Sequence, residues 1–399
     1  MVSITDTLAS WAHDYVPDTD DLALAHRSLV DTVGVTLAAR DHPVRTIAAQ
    51  LPEVARWAAV GHVLDFDDLH VESTAHISVV ITPTVLSASG DARAYLAGAG
   101  VMARLGTMLG WSHYAAGWHA TCTAGAPAAA VAAGVAWGLS ARQLATAMAL
   151  AVPGAGGVQT AFGTDGKSLQ VGFAAEAGIR AARLARAGAT ADPRALDDWL
   201  ELVGGTAGPV DTSGPAVPGG LAIKMFPCCY AMQRPIAALR GLRGDIDDQV
   251  AHVTVSTPAA TLQPLIHNYP RTGLQGKFSM QYAVAATLLD DYPGFASFTD
   301  PAVGRGEAQQ LLSRVDVDRT PGGDGLLDGE VDVRVALAGG RTLQARLGDP
   351  PGAPRRPPTD AELREKLAAC GEDVPKLLDG ITWQCAAELL RTELPLVRD

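Results

Sequence analysis

Residues 64–78, LDFDDLHVESTAHIS, crowd Asp65, Asp67, Asp68, His70, Glu72 and His76 into one short stretch. Carboxylates and imidazoles this close could ligate a metal, but neither HExxH nor EF-hand spacing is present. Runs of Asp also commonly cap helices or face water. The chemistry that fits the pattern is proton transfer to or from carbon by a histidine of near-neutral pKa, oriented by a carboxylate. A further imidazole, His119 in GWHAT, lies between glycine and small residues just ahead of an alanine-rich helix. That position can face a cleft or simply cap and pack.

The basic residues point the same way. Of 31 Lys and Arg, only Lys167, Lys224, Lys277, Lys366 and Lys376 are lysine. A chain that prefers Arg but keeps Lys in glycine- or proline-flanked loops is one that can use a compact ammonium there. Lys167, in FGTDGKSLQVG, stands where a loop runs into a helix, so an anion held there would also meet free backbone N–H groups. Lys224 precedes a similar segment, MFPCCYAMQRPIAALRGL. Either could equally be an ordinary solvated lysine.

Helices must position most of these groups. The 399 residues are 48% apolar and 19% charged, which excludes disorder, and aromatics supply only 5%. The apolar fraction is therefore rich in alanine, leucine and valine, a helix-forming mixture. Helical periodicity is expected at residues 4–15, 21–39, 92–108, 127–138, 141–150 with Ser140 as N-cap, and 168–187. In the second of these Leu22, Leu29, Val33 and Leu37 form the expected core stripe; the last is lined by Gly172, Ala174, Ala175, Gly178, Ala181 and Ala182, which allow close helix approach. After about residue 218 the character changes: residues 250–256 (VAHVTVS) alternate like a strand, and 331–347 read as two strands about Gly339-Gly340. Helices are expected between them at 278–290 and 305–315, and an amphipathic helix at 381–394 can return to the first part.

Function classes are narrowed by charge and cysteine. A net charge of −12 leaves no basic footprint for nucleic acid. Five cysteines, an odd number without CxxC or Cys/His metal spacing, fit reduced thiols. The opening MVSITDTLASWAHDYVPD lacks a basic n-region, and the apolar run at 124–139 is too short for a membrane span, so a cytoplasmic protein without membrane contact is expected.

Six ordered blocks together resemble the MmgE/PrpD family, which includes 2-methylcitrate dehydratases, cis-aconitate decarboxylases and iminodisuccinate epimerases. They are VDTVGV near residue 31, LDFDD at 64, GWHATCTAGAPAAA at 117, FGTDGKSLQVGFAAEAG at 162, KMFPCCYAMQRPI at 224 and FSMQYAVA at 278. The resemblance implies a mainly α protein: a large all-helical domain (1–223 and 376–399) with a smaller α+β lid domain (224–375) inserted, assembled as a homodimer. It implies a site between helical domain and lid, without metal or organic cofactor. By motif match the catalytic residues would be Asp65, His76, His119 and Tyr282, with Lys167, Lys224, Leu69 and Cys229 at the substrate.

The chemistry so implied is a cofactor-independent lyase of the dehydratase type on a small, alkylcitrate-like hydroxy-polycarboxylate. Lys167 and Lys224 would stabilise enediolate-like charge while the two histidines serve as acid and base, in an order the sequence leaves open. Epimerisation or isomerisation by deprotonation and reprotonation is the alternative, followed by decarboxylation, or a diverged member with a less polar substrate. The departures are Leu69 where the family's decarboxylases carry Thr, Cys229 where they carry His, HIS for HPS, one extra residue between Asp65 and His76, and a shortened segment between Arg45 and Trp57.

Overall fold

The computed structural model describes residues 3–321, 325–326 and 328–395. The ends of the expected 1–223 and 376–399 segments and a few positions of 224–375 therefore lie outside the described residues.

The first half is helical throughout: α1 (Ile4–Asp14), α2 (Thr19–Ala38), α3 (Glu53–Val63), α4 (Ser78–Ser87), α5 (Ala92–Ala115), α6 (Gly125–Ala136), α7 (Ala141–Ala151) and α8 (Asp165–Arg186). Local signals set their ends. Asp18 and Asp21 close a capping box on α2, Ser140 and Gln143 one on α7, and Thr164 caps α8 through the Gly166 N–H. Within α5, Gly110 adopts φ +66, which breaks the helix just beyond the expected end at 108.

Small residues let these helices pack at unusually close range. On α8, a Cβ at Gly178 would stand 2.4 Å from the Ala129 Cβ of α6, and one at Gly172 would stand 2.5 Å from the Ala55 carbonyl oxygen of α3. The core of this part is correspondingly alanine-rich and almost wholly sealed. Of the stripe expected on α2, Leu29, Val33 and Leu37 are buried, but Leu22, in the first turn, is 47% exposed.

The second half follows with α9 (Gln233–Leu242), β1 (Val250–Pro258), α10 (Met280–Leu289), α11 (Gly306–Leu312), β2 (Val315–Thr320), β3 (Val331–Leu337) and β4 (Thr342–Leu347). The four strands form one sheet in the order β2-β1-β3-β4; β2 is parallel to β1, and the β1–β3 and β3–β4 pairs are antiparallel. The β3–β4 hairpin turns at Gly339 and Gly340, the latter at φ +88. β2 has no counterpart in the sequence reading, where its residues follow an expected helix ending at 315. Val253, Val255, Val333 and Val335 point from the sheet into a core shared with α9 and α10.

α12 (Asp360–Cys370) and α13 (Trp383–Glu393) complete the chain. Both pack on α2, with Cys370, Val374, Leu378 and Leu390 in one cluster with Leu29 and Val33. The chain is thus against the first helices already at α12, ahead of residue 376. Lys366 of α12 lies 2.6 Å from the buried Asp31 of α2 and donates to the Phe66 carbonyl at 2.8 Å.

Candidate active site

The site is built where α3 ends. His62 occupies its last turn, and Asp65, at φ +53, turns the chain sharply through the left-handed region, which Asp tolerates better than most side chains. The carbonyls beyond a helix C-terminus lack intrahelical donors and carry partial negative charge. Here three successive ones are met by three lysines from remote parts of the chain. Lys277 donates to Leu64 at 2.8 Å, Lys224 to Asp65 at 2.9 Å, and Lys366 to Phe66 at 2.8 Å.

Lys167, in the first turn of α8, donates to Asp65 Oδ1 at 2.8 Å, and Lys224 Nζ lies 3.1 Å from the same oxygen. Burial opposes the charge of Asp65, but the two ammonium groups outweigh it and hold the carboxyl well below the usual carboxylate range. Lys224 shows the reciprocal effect: burial disfavours its charge, Asp65 and Asp67 more than restore it, and its pKa is raised.

Asp67 joins two imidazoles. Its Oδ2 is 2.8 Å from His62 Nδ1 and 2.9 Å from His76 Nδ1, the second contact at ion-pair distance but out of line for a hydrogen bond. His62 Nε2 in turn sits 2.5 Å from Lys167 Nζ. His76 reaches this place although one extra residue separates it from Asp65. The loop closes on itself through a His70–Ala75 bridge and the His70 Nδ1–Ser73 hydroxyl contact at 2.8 Å, which returns the chain to the cluster. Burial lowers His76 to about 4, despite Asp67, so the imidazole is neutral at pH 7.

His119 arrives from the opposite wall. Gly117 (φ +100) turns the chain, and residues 117–119 pair with 157–159: His119 N–H donates to the Gly157 carbonyl at 3.0 Å and Gln159 N–H to the Gly117 carbonyl at 2.8 Å. The ring stacks 5.8 Å from His62, and burial followed by Lys167 keeps its pKa well below the usual histidine value.

The remaining expected residues fall into two groups. Cys229 lies near the cluster: its N–H donates to the Lys277 carbonyl at 3.0 Å, and burial pushes its thiol up to about 12. Leu69 is a core residue whose backbone bridges Ala222, and its side chain packs in the apolar cluster under the sheet. Tyr282, expected among the catalytic residues by motif match, stands apart from this cluster. Its ring packs behind Gly276 and against Phe298, and its hydroxyl donates to the Ser297 carbonyl instead of meeting the groups gathered at Asp65.

The sequence reading omitted His62, Asp67 and Lys277 from the site. Burial lowers Lys277 to about 8, and its ammonium is held by the Leu64 and Pro227 carbonyls. The space lined by His62, Asp65, Gly163, Lys167, Leu274 and Phe278 is only about 10 Å³, room for one water at most. One side of that closed space comes from α3 and α8, the other from the 274–278 segment of the second half.

One atom each from His62, Asp65, Asp67 and His76 lie within 4.8 Å of one another, close enough for a metal ion. Some of their donor atoms are committed: Asp65 Oδ1 receives two ammonium groups and His62 is engaged at both ring nitrogens. Asp65 Oδ2, Asp67 Oδ1 and His76 Nδ1 have no hydrogen-bond partner, but a dication there would face the Lys167 and Lys224 ammonium groups that already pair with Asp65. Charge pairing is the better description of the cluster.

Two domain profiles cover most of the chain: the MmgE/PrpD N-terminal domain matches residues 54–200, and the MmgE/PrpD C-terminal domain matches residues 226–377. The chain belongs to the MmgE/PrpD family. Both halves of the cluster, His62 to Lys167 on one side and Lys277 on the other, fall inside these family domains. Among curated relatives, a cis-aconitate decarboxylase of Homo sapiens is 26% identical over 295 residues, 68% of this chain and 59% of the relative. A cis-aconitate decarboxylase of Aspergillus terreus is 26% identical over 293 residues, 63% of this chain and 60% of the relative. The match thus spans about three fifths of the length of these MmgE/PrpD relatives. No helix among the described residues is long and apolar enough to cross a membrane.

Proposed function

We propose that the protein is a cofactor-independent lyase that moves a proton at a carbon next to a carboxylate of a small polycarboxylate. The observation that carries this reading is the convergence of Lys167 and Lys224 on Asp65 beside two imidazoles, His76 and His119, both held neutral in one closed, buried site. With Asp65 and Asp67 ionised and Lys277 charged, three ammonium groups face two carboxylates. The excess positive charge suits an anionic substrate.

The first reading is loss of water from an alkylcitrate-like hydroxy acid. His76 Nε2 takes the α-proton, and the developing enediolate charge is held by Lys167 and Lys224. The electron pair then forms the carbon–carbon double bond as the C–O bond breaks, and the hydroxyl leaves as water with the Nε2 proton of His119; the imidazolate so left beside Lys167 is reprotonated, in balance with the proton that His76 has gained, to restore both neutral rings. Fixed cations in a water-poor site act on such charge far more strongly than in bulk solvent. The substrate enters when the 274–278 segment parts from the Gly163 to Ser168 wall, and reclosure excludes water.

A second reading, decarboxylation of an unsaturated tricarboxylate, is favoured by the cis-aconitate decarboxylase relatives. There the C–C bond electrons pass into the same cation-stabilised enediolate, and a proton is delivered to carbon. Product analysis separates the two: incubation with citrate, methylcitrate and cis-aconitate, followed by NMR and CO₂ release. An alkene product without CO₂ supports the first reading, CO₂ release the second, and no turnover of any of the three refutes the polycarboxylate lyase.

A further inference from the structure

The reading above leaves open which way round the His119 ring carries its proton, and a residue outside the expected site settles it. Gln170, on α8, makes two contacts with the backbone of one residue: Val158 N–H donates to its Oε1 at 3.1 Å, and its Nε2 donates to the Val158 carbonyl at 3.3 Å. This pairing fixes the amide orientation, because the reverse would set N–H against N–H and oxygen against oxygen. The same Nε2 donates to His119 Nδ1 at 2.7 Å. Nδ1 is therefore an acceptor. The Cys122 sulfur also lies 3.3 Å from Nδ1, and burial raises that thiol, which stays protonated and can donate to the same nitrogen.

Backbone geometry locks the arrangement. Val158 is held by the pairing of residues 117–119 with 157–159, and Gly157 stands at φ +124, where a Cβ would meet the Cys122 Cβ at 2.8 Å and Gln170 Oε1 at 3.2 Å. His119 Nε2 has no hydrogen-bond partner among the described residues, while His76 Nδ1 faces Asp67 Oδ2 at 2.9 Å, which leaves its Nε2 on the side of Asp65.

We infer that Gln170 is a positioning residue that locks His119 as the neutral Nε2–H tautomer, so that His119 presents a proton donor to the substrate while His76 serves as the base. The catalytic part of this inference rests on the proton-transfer reading above; the tautomer does not. A neutral imidazole can polarise or protonate an oxygen without first being charged. Holding the wrong tautomer costs an acid–base site about 10²- to 10⁴-fold.

The test uses the full-length protein labelled with ¹⁵N-histidine, with His119→Gln to assign the signals. The expected wild-type spectrum shows His119 protonated at Nε2 and bare at Nδ1. Gln170→Glu, which offers only acceptors, should move the proton to Nδ1; Gln170→Met, which keeps the bulk, should give a mixture of tautomers. In Gln170→Glu, kcat should fall at least about 10²-fold with KM changed less than about threefold. A proton at Nδ1 in the wild type, or an unaltered tautomer in both variants, overturns the lock. A swapped tautomer with wild-type kcat overturns the donor role of His119. If the wild type turns over none of the polycarboxylates, the lyase reading fails, and the spectrum still decides the lock.

Discussion

Lys224 donates to the main-chain carbonyl of Asp65 at 2.9 Å while its ammonium lies 3.1 Å from the carboxylate of the same residue. One buried side chain thus neutralises Asp65 and also holds its left-handed backbone, so position and charge of the carboxylate depend on the same contact.

Replacing Lys224 by Met, of similar bulk, should remove both effects. The expected loss is about 3–5 kcal/mol of unfolding free energy, typical of stripping one partner from a buried ion pair. A fall of at least about 10²-fold in kcat/KM should accompany it. Denaturant titration and steady-state rates check this; wild-type stability in Lys224→Met would contradict the double role.

His62 links Asp67 to Lys167 through its two ring nitrogens. His62→Leu breaks both contacts and leaves two buried polar groups short of a partner, so activity should fall about 10²-fold or more. His62→Gln keeps a donor for Asp67 and an acceptor for Lys167, and should recover about tenfold of that loss. Equal rates in Leu and Gln variants would show that the link is immaterial.

Lys277, lowered to about 8 by burial, carries its charge only below that pH. Affinity for an anionic substrate should therefore weaken as pH rises through 8, seen as an increasing KM between pH 7 and 9. In Lys277→Met, KM should already be high at pH 7 and nearly flat over the same range. The same rise in wild type and variant would assign the titration elsewhere.

Asp68 behaves oppositely to Asp65. Burial, with Asp31 adding to it, raises Asp68 to about 7, although its carboxylate accepts from both the Ser78 N–H and hydroxyl. Between about pH 4 and 7 the folded state then keeps a proton that the unfolded state has lost. Stability should fall over that window as pH rises, by up to about 1.4 kcal/mol per pH unit. Asp68→Asn should flatten the slope, measured by denaturant midpoints from pH 4 to 7. An unchanged slope would refute the assignment.

Much of this site was legible because its groups sit in compact motifs. Asp65, His76, His119, Lys167 and Lys224 all announce themselves by residue type in glycine-, proline- or aspartate-rich segments. His62 did not, since within EVARWAAVGHV it reads as one more position of a packed helix. Lys277 and Lys366 reach the 64–66 carbonyls across 213 and 300 residues of chain, and no local pattern encodes that return. Tyr282 stands apart from the cluster for a similar reason: its motif fixes the helix, whereas the Ser297 carbonyl that takes its hydroxyl comes from a later turn. The mainly α character followed from alanine and small-residue patterning. The strand β2, VDVDRT, is polar at four of its six positions and gains strand character only by pairing with β1.

Solvent deuterium incorporation tests the central claim most directly. The protein is incubated in D₂O with citrate, methylcitrate, cis-aconitate and aminated dicarboxylates, and the carbon next to the carboxylate is followed by NMR. Deuterium should appear there in at least one compound, at a rate that His76→Asn lowers at least about 10²-fold. No incorporation into any of them, or an equal rate in His76→Asn, would contradict proton transfer at this site.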